Sequence, residues 1–141
     1  MSLSAAIKAS ASALDAERAR LEVAVSNIAN AESTRGADGL PYRRRDVVLA
    51  PQTMEAFDAA LGQAGAIGVQ VHNIVEDQSA FRKRYEPSHP DADAEGFVSV
   101  PNVDVPEEMV DMVGAARAYQ ANITAINVIR DTVQRSLELG K

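Results

Sequence analysis

The sequence predicts an α+β fold in which long N- and C-terminal helices pair as a coiled coil, with a small, mostly antiparallel β unit inserted between them. Three observations predict it. Apolar residues alternate spacings of three and four at both ends of the 141-residue chain. All six prolines and most of the glycines lie between residues 31 and 106. Within that middle stretch, short runs rich in Val, Phe and Tyr are bounded by turn residues. On this reading residues 1–30 and 104–141 form a helical assembly domain, and residues 31–103 an inserted loop and β domain.

The first element covers residues 3 to 30. Ile7, Ala11, Leu14, Arg18, Leu21, Val25 and Ile28 form a heptad seam with one polar interruption. Lys8, Asp15, Glu17, Arg20 and Glu22 lie on the other, solvated faces. At the helical rise the element would be about 40 Å long. Its end is marked by Asn27 and Asn30, whose side chains can bond backbone groups freed at a helix terminus. Asn30 also tolerates the left-handed conformation that stops a helix.

The middle is different material. Gly36, Gly39 and Pro41 predict a loop, and Tyr42 to Leu49 an extended run. Thr53 to Leu61 could form a short helix with Met54, Phe57 and Leu61 on one face, followed by a flexible break from Gly62 to Gly68. Val69 and Val71 open a strand running towards Val75; Phe81 and Tyr85 mark another, and Phe97 to Val100 a further one. The Pro/Asp-rich stretch "EPSHPDADAEG" reads as the turn between the last two.

Helix returns over residues 104 to 139. Asp104 and Glu107 have capping-box spacing, with Pro106 in the first turn. Met109, Met112, Ala116, Tyr119, Ile123, Ile126, Arg130, Val133 and Leu137 form a second seam, and Gly140 ends it. Its length would be about 50 Å. Two seams of matching period can zip together with the β unit looped out between them. Val110, Val128 and Ile129 lie off the seam and would stay wet in an isolated pair, so they call for partners from other chains. Arg18 and Arg130 either snorkel to the rim or set the pairing register; both readings stand at this point.

Composition narrows the function. Hydrophobic residues make up 46% of the chain but aromatics only 4%, so no thick core is expected. A net charge of −6 argues against a general nucleic-acid binder and gives no attraction to anionic lipid. The absence of cysteine excludes disulfides, thiolate metal sites and cysteine nucleophiles. "ASA" triplets at Ala9–Ala11 and Ala11–Ala13 resemble signal cleavage sites, but no apolar run precedes them, and no stretch approaches the roughly 20 apolar residues of a membrane span.

The chemically suggestive motifs are weak. "DADAEG", Asp91 to Gly96, resembles the front of a calcium loop, yet its twelfth position is Asn102 rather than Glu and no helix precedes it. A solvated turn is the better reading. Arg43, Arg44 and Arg45 follow Tyr42; a solvated strand end or a contact with an acidic patch on a neighbouring subunit would account for them. His72 and His89 stand without metal-ligand spacing, and Ser88–His89 lacks an orienting third group. No catalytic, cofactor or metal residues are expected, and the chain reads as no enzyme.

The two ends carry a more specific pattern. "SNIANAEST" near the end of an N-terminal helix, with "EEMVDMVGAARAYQANITAINVI" in a C-terminal one, resembles the axial proteins of the bacterial flagellum. "DGLPYRRRDVVL", "YEPSHPDADAEGFV" and "PNVDVPEEM" are similar to the proximal rod members of that family. The family motif falls on Ser26, Asn27, Ile28, Ala29, Asn30 and Ala31; Ser33 stands where Thr is commoner, and Pro106 where an apolar residue is usual. The resemblance implies a structural subunit that polymerises through its terminal helices into a helical tube and transmits torque across the periplasm. It implies export through the flagellar type III apparatus without a cleaved signal peptide. It implies as partners other copies of the chain, other rod proteins, the distal rod and the membrane-ring adaptor, with no nucleic acid and no transmembrane segment. The expected assembly interface comprises Ile7, Leu14, Arg18, Leu21, Val25, Asn27, Ile28 and Asn30 of the first helix. In the second helix it comprises Met109, Met112, Tyr119, Ile123, Ile126, Arg130, Val133 and Leu137. The competing expectation is a soluble coiled-coil adaptor or secreted partner-binding protein that does not polymerise.

Overall fold

The computed structural model describes residues 3–53 and 67–139. Helix α1 spans Leu3–Ala29 and helix α2 spans Val105–Leu139. Between them lie strands β1 (Arg45–Thr53), β2 (Ile67–Glu76), β3 (Arg82–Tyr85) and β4 (Phe97–Val100). The α+β class with two long terminal helices is as expected. The β material forms two two-stranded sheets, β1–β2 and β3–β4. Thr53 closes β1, and the rest of the short helix expected up to Leu61 lies outside the described residues. Ile67 and Gly68 belong to β2; the remainder of the expected break from Gly62, and the helix stop at Gly140, also lie outside them.

The chain divides into two compact units that cut across the elements. One takes residues up to 19, 48 to 73 and from 114 onward; the other takes 20 to 47 and 74 to 113. We call them unit 1 and unit 2. Each therefore contains part of both helices and part of β1 and β2.

In unit 1 the buried apolar residues among those described are Ala16 and Ala115, small side chains that let backbones approach closely. Ser12 ties α1 to β2: its Oγ accepts from the Val69 amide at 3.0 Å while donating to the Ala9 carbonyl at 2.8 Å. Along α2, Asn122, Thr124, Thr132 and Ser136 each donate to the carbonyl four residues back, at 2.8 to 2.9 Å. These polar side chains are satisfied within their own helix.

Unit 2 has the fuller core, built from Ala24, Ala31, Val98, Val100, Pro101 and Val103. β3 and β4 pair antiparallel, with Arg82 opposite Val100 and Tyr85 opposite Phe97. β4 alternates, burying Val98 and Val100, whereas β3 is exposed throughout. The turn between them is closed by Asp93, whose Oδ1 accepts from the Glu95 and Phe97 amides at 3.0 and 2.8 Å. Gly96 sits there at φ +81°, where a Cβ would come 3.0 Å from the Tyr85 ring, so both conformation and space require glycine. The Asp77 amide bonds the Arg44 carbonyl at 2.8 Å, placing the end of β2 beside the start of β1 in antiparallel fashion.

Asn30 and Asp104 bond the C-terminal end of α1 and the N-terminal end of α2. The Asn30 amide and its Nδ2 both donate to the Ser26 carbonyl, at 3.1 and 2.8 Å, so the last turn of α1 has its acceptor filled twice. Asp104 precedes α2 as its cap: its Oδ1 accepts from the Glu107 amide at 3.4 Å and its carbonyl from Glu108 at 3.0 Å. Among the described residues, no helix is long and apolar enough to cross a membrane.

Candidate functional site

The most elaborate polar arrangement lies in unit 2 and centres on Asn27, which is fully buried in the last turn of α1. Its amide is completely used. Nδ2 donates to the Arg45 carbonyl at 2.8 Å and to Glu108 Oε2 at 2.9 Å. Oδ1 accepts from the Arg45 amide at 3.0 Å and from the Tyr42 hydroxyl at 2.9 Å. One side chain thus ties α1 to both backbone groups of the first β1 residue and to the first turn of α2.

Glu108 completes the arrangement. It is only 2% exposed, and its second oxygen accepts from Arg44 Nε at 2.6 Å. Burying a carboxylate is costly unless it is paired and hydrogen-bonded, and here both oxygens are engaged. Burial draws the Arg44 guanidinium down in pKa, but the hydrogen bond and charge of Glu108, aided by Asp46 and Asp111, more than offset it, so it sits above the ordinary arginine value. Arg44 therefore stays charged. Asp46 and Asp111 approach it at 3.8 and 3.7 Å.

The neighbouring arginines take different partners. Arg43 Nη1 donates to the Asp77 and Ser79 carbonyls at 3.2 Å, and its guanidinium lies 4.4 Å from the centre of the Phe81 ring. Arg45 stacks over Tyr42 at 5.5 Å and pairs with Glu76 at 3.6 Å. Asn102 fastens the segment from behind: its Oδ1 accepts from the Arg44 amide at 2.9 Å, and its Nδ2 donates to Ser79 Oγ at 2.8 Å. The three arginines are thus not a uniform basic patch. The acidic group that Arg44 meets belongs to this same chain, so Arg44 is not a bare solvated strand end.

A second polar link joins the segment after α1 to the β3–β4 turn. Thr34 Oγ1 donates to Asp91 Oδ2 at 2.9 Å, Arg35 pairs with Asp91 at 3.5 Å, and Arg84 pairs with Glu32 at 2.6 Å. His89 Nδ1 accepts from the Asp91 amide at 3.1 Å. Of the groups that suggested a calcium loop, Asp91 therefore fastens Thr34 and Arg35 to the hairpin and Asp93 closes its turn, while His89 accepts within that turn.

The expected interface residues fall into two sets. In α1, Ile7, Leu14, Leu21 and Ile28 are half-buried, as is Asn30, while Ala11, Arg18 and Val25 are exposed. In α2, Met112, Tyr119, Ile123, Ile126 and Val133 are half-buried, while Met109, Ala116, Arg130 and Leu137 are exposed. The less exposed residues along α2 include Glu108, Met112, Ala115, Tyr119, Asn122, Ile123, Ile126, Ile129 and Val133. They keep Met112, Tyr119, Ile123, Ile126 and Val133 of the expected seam, whereas Met109, Ala116 and Arg130 give way to the preceding residue. Apolar periodicity does not reveal this offset where it starts, because Glu108 is a polar residue that a hydrophobic stripe excludes. The arginine run after Tyr42 stands out in an acidic chain, but no local pattern shows that Arg44 meets Glu108 or that Asn102 fastens it.

Comparisons with known proteins agree with the geometry's emphasis on the chain's two ends. Residues 7–37 match the family described as flagella basal body rod protein, and residues 94–139 the flagellar basal body rod FlgEFG protein C-terminal family. The chain is 47% identical over 130 residues to the flagellar basal-body rod protein FlgC of Salmonella typhimurium, covering 92% of each chain. It is 44% identical over 146 residues to that of Bacillus subtilis, covering 96% of each. Against that of Borreliella burgdorferi it is 37% identical over 153 residues, covering 99% of this chain and 98% of the other.

Proposed function

The chain belongs to the flagellar basal-body rod protein FlgC family, and from that premise we propose how it serves as a rod subunit. It is a structural component of the flagellar basal-body rod and not an enzyme. It assembles with other rod proteins through its terminal helices, polymerising into a helical tube that carries torque across the periplasm. The chain reaches that place through the flagellar type III export apparatus, without a cleaved signal peptide.

One observation carries the polymerisation reading: α2 leaves large apolar side chains in water. Val110 is 71% exposed, Val128 59% and Leu137 68%. Fully burying such a side chain contributes about 1.5–3 kcal/mol, so a neighbour that covers several of them gains a substantial association energy. The half-buried members of the expected seams, Leu21 and Ile123 among them, would complete their burial in the same contacts.

The test is complementation of a strain lacking its own copy, with electron microscopy of purified basal bodies. The unsubstituted chain should restore rods and swimming, whereas Leu21→Asp or Ile123→Asp should leave basal bodies without a complete rod. Normal swimming with either substitution would refute the helical interface.

A further inference from the structure

We propose that the buried Asn27–Arg44–Glu108 cluster is a register lock, which fixes the turn of α1 that faces the first turn of α2 and thereby selects the apolar side chains presented to a neighbouring subunit. This deepens, and rests on, the rod-subunit reading above.

Apolar packing alone specifies this register weakly. The helix residues that bury fully are mostly alanines: Ala16 and Ala115 in unit 1, Ala24 in unit 2. Alanine presents the same small surface at every turn, so a helix displaced by one turn, about 5.4 Å, meets a similar partner. The polar cluster offers no such freedom. Asn27 has both donors and its acceptor committed, and Glu108 has both oxygens committed. Displaced by one turn, the Asn27 position of α1 would hold Val23 or Ala24, which donate nothing to Glu108. In the other direction Asn27 would leave the buried Glu108 and come opposite Met112, which accepts no strong hydrogen bond, or Asp111, whose side chain is half exposed and turned to Arg44. Each slip strands a buried carboxylate or amide.

Stability is a poor explanation for the cluster. Replacing a buried ion pair wholesale by apolar groups is often neutral or stabilising, whereas a buried polar residue in a helical seam is well attested as a device that singles out one pairing. Its location fits that role. Glu108 points inward, and this orientation turns the adjoining Met109 and Val110, with Val113 a turn later, outward into solvent. Val25, two residues before Asn27, is likewise exposed.

The absence of cysteine makes the test clean. Spin labels on Val25→Cys and Val113→Cys, both exposed and both in unit 2, report the α1–α2 register as a distance distribution in the purified monomer. The same labels go into the triple variant Asn27→Leu/Arg44→Met/Glu108→Leu, and into Glu108→Gln, which keeps an acceptor for Asn27. The unlabelled versions are scored for rod formation in cells. The parent chain and Glu108→Gln should show one narrow distance. The triple variant should stay helical and show a second distance, displaced by about one turn, and it should form no rods. A single narrow distance in the triple variant would overturn the proposal, as would rods of normal length despite two distances. Loss of helix in the triple variant would overturn it too, because the cluster would then serve stability. A parent chain that shows one distance yet builds no rods would refute the rod reading while leaving the lock intact.

Discussion

Asn27 satisfies four polar partners with one amide, and it has no substitute among the natural side chains. Asn27→Ala should lower unfolding stability by about 2 kcal/mol or more, because the Tyr42 hydroxyl, both Arg45 backbone groups and one Glu108 oxygen lose a buried partner. Asn27→Asp should be worse than Ala despite its similar shape. It exchanges two donors for a negative charge facing Glu108 at hydrogen-bond distance. Urea titration of the three proteins checks the order, and an Asp variant as stable as the parent would contradict the network. Asp77 gives a pH counterpart. The Ser79 amide, and then its hydroxyl, hold the Asp77 carboxyl below the ordinary value of 3.8. Its folded pKa lies under the unfolded one, so its contribution is fully present above pH 3.8 and fades as pH falls through the lowered value. Protection of the Ser79 amide against exchange should accordingly persist down to that range and fall away only below it.

At the scale of elements, the sequence announces what is periodic and local. Asp104 caps α2, Asn30 bonds the Ser26 carbonyl in the last turn of α1, and the strand residues expected around Val47, Val71, Tyr85 and Val98 all lie in strands. Gly96 marks a turn that its φ and its closeness to Tyr85 explain. What stays illegible depends on partners distant in sequence. Glu108 is separated from Asn27 by 81 residues and from Arg44 by 64, so no window around it distinguishes a buried ion pair from an ordinary first-turn acid. The facing line of α2 is missed for the same reason. Hydrophobic spacing counts Met109 and Ala116 inward, while Arg44 and Asn27 select Glu108, and Ala115 follows on the same line. This offset leads to a prediction about α2 by itself. Val110 is among its most exposed apolar residues, so Val110→Asp should change the monomer's stability by no more than about 0.5 kcal/mol. The same substitution should abolish rod assembly, because the charge would be desolvated only in the polymer. Stability from thermal melts and rods from micrographs are separate readouts; a variant that assembles normally would remove this face from the interface.

At the scale of the whole molecule, the deciding quantity is how little the isolated chain buries. Ordering each residue costs about 1–2 kcal/mol of backbone entropy. Against this, the described part of unit 1 fully buries Ala16 and Ala115, both short of the area that a Leu or Phe would contribute. Unit 2 is better supplied: it has Val98, Val100, Pro101 and Val103, the Asn27 network, and the links from Glu32, Thr34 and Arg35 to the hairpin. Folding of the terminal helical segments is therefore expected to be coupled to polymerisation, with neighbours covering Val128, Leu137 and the half-buried seam residues. Amide exchange on dilute protein should then separate the units. Residues 20–29 and 105–113 should be the better protected helical segments, while 3–19 and 114–139 should exchange quickly and gain protection as concentration rises. Slow exchange across 3–19 and 114–139 in a sample shown by sedimentation to be monomeric would mean that the helices stand without neighbours, and the coupling would have to be given up.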